Sequence, residues 1–128
     1  MRQLLTLLVT LFFFTSCGNE QKKESLYPES AKADKKTPEQ LGQEIFESKG
    51  NCFACHKPDQ KIVGPSIQEI ATIYKQKGGD IVSLLKGNEE PLVDSSQFSV
   101  MKTNFAITKN MTDAELKALE SYIYSFAK

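Results

Sequence analysis

The stretch KGNCFACHKPDQKIVGPS, residues 49–66, places Cys52, Cys55 and the chain's single histidine, His56, within five positions, with Gly64-Pro65 following eight residues later. Two thiols three residues apart fall within one helical turn, so both sulfurs can face the same way. Each thiol can add across a vinyl group to form a thioether, and the neighbouring imidazole can then reach a central iron. C-x-x-C-H is the attachment signature of c-type haem, and it predicts one haem c bound through Cys52 and Cys55 with His56 as an iron ligand. Two other chemistries use the same residue types. A thioredoxin-like dithiol sits at the end of a strand in a βαβ unit. A structural zinc site needs four ligands, usually with a second Cys/His pair, and the only other cysteine is Cys17.

The elements that must hold this motif read as short amphipathic helices with clear starts. In TPEQLGQEIFESKG, Thr37 is placed to cap, Pro38 to take the first helical position and Gln40 to complete a capping box; Leu41, Ile45 and Phe46 share a face and Gly50 is the stop. SIQEIATIYKQKGG repeats the logic, with Ser66 and Glu69 as a capping box and Ile67, Ile70, Ala71 and Tyr74 as the buried stripe. Asp80 can cap a third helix over 81–86. In MTDAELKALESYIYSFAK, Thr112 pairs with Glu115 across the first turn, while Leu116, Leu119, Ile123 and Phe126 line one face with Tyr122 beside it. No run alternates with period two, so the expected class is all-α, about four short helices. Residues 87–111 show neither period, and a structureless connection of that length in a small domain needs something to wrap.

From about Thr37 to the C-terminus, the sequence resembles the small bacterial class I monohaem c-type cytochromes. The spacing Gly42-x-x-x-Phe46, the motif C-x-x-C-H at 52–56 and VGPSIQEIA at 63–71 carry the resemblance. It implies the class I cytochrome c fold around one covalently attached haem, with Gly42 and Phe46 crossing the last helix at Leu119 and Tyr122. It implies that the Pro65 carbonyl orients His56, which makes chemical sense because accepting the Nδ1 proton leaves Nε2 free for iron. Of the two methionines near the end of the loop, it makes Met101 the sixth ligand. Asn104 matches the family's asparagine near the methionine sulfur; by residue type alone it reads equally as a turn residue. Met111 stands just before the Thr112 cap and reads as a hydrophobic staple against Leu116. The sequence departs from its relatives before Met101, where it has no Trp and only Pro91, so propionate contacts are not carried over; Lys86 reads as solvent-facing.

A His/Met pair leaves no open coordination position, and the soft thioether favours ferrous iron, which raises the potential relative to bis-histidine ligation. The expected function is therefore single-electron transfer in a respiratory chain, between a quinol-oxidising complex and a terminal oxidase or reductase, rather than enzymatic catalysis. The alternative is a haem-based ligand binder or sensor in which Met101 is displaceable. A third reading is an assembly lipoprotein whose haem is only structural.

The N-terminus is a separate object. Arg2 precedes an apolar stretch over 4–14, too short for a spanning helix and laid out as a secretory signal. FTSCG, ending the stretch at Cys17, resembles the lipobox of bacterial lipoproteins, although Phe14 stands where Leu is usual; the plainer reading is an ordinary signal peptide. The expected organisation is a leader over 1–16, a lipidated Cys17 with a flexible tether over 17–36, and a cytochrome c domain over 37–128. The tether residues, poor in large apolar side chains, would reach about 25 Å. That places a monomer on a membrane by its lipid, in the periplasm or another extracytoplasmic compartment. With 16 basic and 16 acidic residues and no basic block, nucleic acid is not an expected partner. Lys57, Lys61, Lys102 and Lys109 flank the haem motif and Met101, and read as dispersed solvated lysines rather than as a docking rim.

Overall fold

The computed structural model describes residues 36–128; Cys17, the leader and all but the last residue of the tether lie outside the described residues. Helix α1 is Pro38–Glu47, started by a complete capping box between Thr37 and Gln40. Helix α2, Ile67–Lys77, is capped by the Ser66 hydroxyl, which accepts from the Glu69 N–H at 3.1 Å, and it ends at Gly78 in the left-handed conformation. Only half of the box expected at Ser66 and Glu69 forms, because no return bond from the Glu69 side chain to the Ser66 backbone is present. Helix α3, Ile81–Leu85, starts where the Asp80 carboxylate accepts from the Ser83 N–H at 2.8 Å.

The segment expected to lack periodic structure corrects the sequence reading. It contains two single-turn helices, α4 at Phe98–Met101 and α5 at Phe105–Thr108, joined by a 3-10 turn over Lys102–Asn104. Phe98, Met101, Phe105 and Thr108 recur at helical spacing, and three of them are buried while Met101 is half-buried. One of these four is Thr, and Val100 and Ile107 are apolar yet exposed off this stripe, which blurs it in the sequence. Helix α6, Asp113–Tyr124, has the predicted capping box between Thr112 and Glu115. Among the described residues there is no strand, only an isolated backbone bridge between His56 and Lys61, and no helix is long and apolar enough to cross a membrane.

The first and last helices form the most extensive contact in the domain, and a glycine permits it. A Cβ on Gly42 would stand 2.0 Å from the Ala118 carbonyl oxygen and 2.7 Å from Tyr122 Cβ, so the two backbones touch there. Phe46 packs on Tyr122 with ring centroids 5.3 Å apart, and Tyr122 meets Phe126 edge-on at 5.2 Å. Tyr122 is thus the partner the resemblance implied; Ala118 is the partner it did not name, and Leu119 is buried in the core.

Thr108 is wholly buried, and its hydroxyl donates to the Leu85 carbonyl at 2.6 Å, stitching α5 to the end of α3. Thr108→Val keeps the shape but strands that carbonyl, so unfolding should be easier by about 1–2 kcal/mol. For a domain of this size, a melt should show Tm lower by roughly 5–15 °C.

Lys49, just past α1, pairs with Glu115 at the start of α6. That ammonium, helped by the Thr112 N–H and hydroxyl, holds the Glu115 carboxyl down at about 2. A depressed acid stabilises the fold above its unfolded value near 4.5 and loses that contribution as pH falls toward about 2. Melts of the parent and Glu115→Gln should therefore differ at neutral pH and converge by about pH 2.

Candidate haem site

The motif is delivered by a sharp reversal after α1. The Gly50 N–H donates to the Ile45 carbonyl at 2.8 Å, and Asn51 takes the left-handed conformation at φ 51°, which Asn tolerates better than most residues. A 3-10 turn over Cys52–Ala54 follows, and the N–H groups of Cys55 and His56 both donate to the Cys52 carbonyl, at 3.1 and 3.0 Å. Both thiols are free, half-buried and turned into one crevice.

His56 Nδ1 lies 2.8 Å from the Pro65 carbonyl oxygen. A carbonyl can only accept, so Nδ1 carries the proton and Nε2 keeps its lone pair. Gly64 is close against the ring: a Cβ there would stand 2.4 Å from His56 Cε1. The Gly64 N–H also donates to the Cys55 carbonyl at 2.9 Å, closing the segment that holds the imidazole. Burial lowers the His56 pKa and the bond to Pro65 opposes it, so the ring is neutral at pH 7, as a metal ligand requires.

The crevice spans about 1200 Å³, counting the space open to solvent. Cys52, Cys55, His56, Pro65, Met101 and Asn104 all line it, so it brings together every residue of the folded part that the sequence singled out for the cofactor. Its remaining walls are mostly apolar, with Phe46 from α1, Ile67 from α2, Leu84 from α3, Phe98 from α4 and Leu119 and Ile123 from α6. A flat, largely apolar macrocycle fits such walls, the two unbridged thiols supply its covalent attachment, and imidazole and thioether are suitable ligands for its iron.

Met111 does not line the crevice. It is buried in the core, and its N–H donates to the Thr108 carbonyl at 3.1 Å. The Asn104 side-chain amide donates to the Gly50 carbonyl at 3.0 Å, tying the turn after Met101 to the residue two before Cys52. Lys86 faces solvent and pairs with Asp113 at 2.7 Å. Of the lysines near the crevice, Lys61 pairs with Asp94 and Lys102 lies 3.6 Å from Glu90.

The competing chemistries fit poorly. Burial pushes the Cys52 thiol up to about 11, the opposite of the lowered value that makes a dithiol reactive. Among the described residues no group of three or more His, Cys, Asp and Glu could hold a metal ion without further help.

Sequence reasoning missed Asn51, which turns the chain into the motif and lines the crevice. The signal available was residue type, an Asn directly after a glycine stop and before Cys52. It also missed Phe98, whose place on a single-turn helix hid it.

The family model described as Cytochrome c matches residues 39–127. The chain is 33% identical over 75 residues to cytochrome c-552 of Nitrosomonas europaea, covering 59% of this chain and 69% of that protein. It is 34% identical over 58 residues to cytochrome c-551 of Pseudomonas denitrificans, covering 40% of this chain and 70% of that protein. A cytochrome c-551 of Azotobacter vinelandii is 40% identical over 40 residues, which is 31% of this chain and 48% of its own length.

Proposed function

The chain belongs to the cytochrome c family, and from that premise we propose that it is a membrane-tethered, respiratory electron carrier whose haem is ligated by His56 and Met101. The cofactor is one haem c, attached through Cys52 and Cys55. Bound there, it supplies a one-electron couple. The observation that carries the ligand assignment is that His56 and Met101 line one crevice, with His56 Nδ1 engaged by Pro65 and Met111 buried elsewhere.

The chain's residues then divide the work. Pro65 holds the imidazole proton at Nδ1 and so leaves Nε2 free to bind the iron. Met101 would supply the second protein ligand and so keep outside ligands off the iron. Val63 and Val100 line the crevice yet are 43% and 45% exposed, giving its mouth an apolar rim where a partner can approach. Asn104 anchors the turn after Met101. The leader over 1–16, lipidation at Cys17 and the tether over 17–36 would place the domain over 37–128 on an extracytoplasmic membrane surface as a monomer. The partners proposed are a quinol-oxidising complex as donor and a terminal oxidase or reductase as acceptor; the carrier itself catalyses no conversion. Anaerobic rapid mixing of the ferric holoprotein with a reduced quinol-oxidising complex, and of the ferrous form with an oxidase or reductase, tests this. Transfer at or above the rate of turnover is expected, and slower transfer with every such partner would refute the respiratory role.

A further inference from the structure

Lys61 and Asp94, 33 positions apart, form an ion pair whose two ends are both fixed to the haem site. On one side, the Lys61 backbone is bridged to that of His56, so its position is set relative to the imidazole. On the other, Asp94 lines the crevice, and its Oδ1 accepts the Ser96 N–H at 2.9 Å just ahead of α4, the helix that ends on Met101. One carboxylate thus turns the methionine-bearing loop with one oxygen and grips the histidine-bearing segment with the other.

We infer that the Lys61–Asp94 pair is a clasp that positions Met101, setting how often the methionine leaves the iron. This rests on the reading of Met101 as the sixth ligand. Lys61 is exposed and Asp94 half-buried, and pairs at the surface contribute little to global stability. The clasp acts instead on a local opening, where a modest factor changes the open population by that same factor. An outside ligand that needs the open position binds only the open form, so its apparent affinity follows the open fraction.

The test is titration of ferric holoprotein with imidazole, followed through loss of the red absorption band of iron bound to thioether sulfur. Lys61→Gln removes the charge and keeps most of the stem; Asp94→Asn removes the charge and keeps an acceptor for the Ser96 N–H. Each should bind imidazole about three-fold more tightly than the parent. The double variant Lys61→Gln with Asp94→Asn should gain no more than either single, because both singles break the same pair. Unchanged affinity in the singles, or additive gains in the double, would each overturn the clasp. A parent that lacks the band, or a Met101→Ala variant with parental imidazole affinity, would instead overturn the ligand reading.

Discussion

On the proposed His56/Met101 ligation, Met101→Ala should remove the weak red charge-transfer band from the ferric holoprotein and lower its reduction potential by on the order of 0.1–0.3 V, a part of the roughly 0.8 V span that axial ligands control. The direction follows from softness. A thioether stabilises ferrous iron more than ferric, and water or an empty position does not. Carbon monoxide should then bind the reduced variant, while the parent, with both positions filled as proposed, should resist it. Met111→Ala is the matched control: it leaves a cavity in the core beside Thr112 and costs about 2–4 kcal/mol of stability, yet the band stays. A parent without the band, taking up carbon monoxide, would transfer the function to ligand binding.

Gly42→Ala should be the most damaging single methyl in the fold. Alanine would ordinarily favour a helix interior by about 0.5–1 kcal/mol over glycine. Here the added carbon meets the backbone of Ala118 at 2.0 Å from oxygen and 2.6 Å from carbon, and backbone cannot rotate aside as a side chain can. Relief requires α1 and α6 to separate, which also pulls Phe46 from Tyr122. Overpacking of this kind reaches about 3 kcal/mol or more, so the clash wins and the net loss is about 2 kcal/mol or more. Thermal melts should show Tm lower by roughly 10 °C or more. A variant as stable as the parent would mean that the helices slide apart without loss of packing.

Much of this was legible in the sequence because it depends on local chemistry. Thr37, Asp80 and Thr112 announce helix starts through side-chain oxygens that must accept from nearby N–H groups, and each does so. The haem motif is local too, since Cys52, Cys55 and His56 are adjacent. What escaped depends on contacts between distant residues. The turns over 98–108 gain their helicity by lying on the rest of the domain, as the Thr108–Leu85 bond shows, and helices of four residues are too short to hold themselves together. Ala118 as the partner of Gly42 was hidden for the same reason: an alanine at a backbone contact looks like any helix former.

The meeting of α1 with α6 has a consequence in time. The helix that closes the domain is the last to be synthesised, beginning at Asp113, whereas Cys52 and Cys55 precede it by more than half the domain. At about 5–20 residues per second, roughly 3 to 12 seconds separate the synthesis of the two thiols from that of the first residue of α6. Burial raises the Cys52 thiol to about 11 in the closed fold, so its sulfur is a better nucleophile before the fold closes than after it. A chain that reaches its attachment machinery unfolded would thus offer its cysteines in their more reactive form.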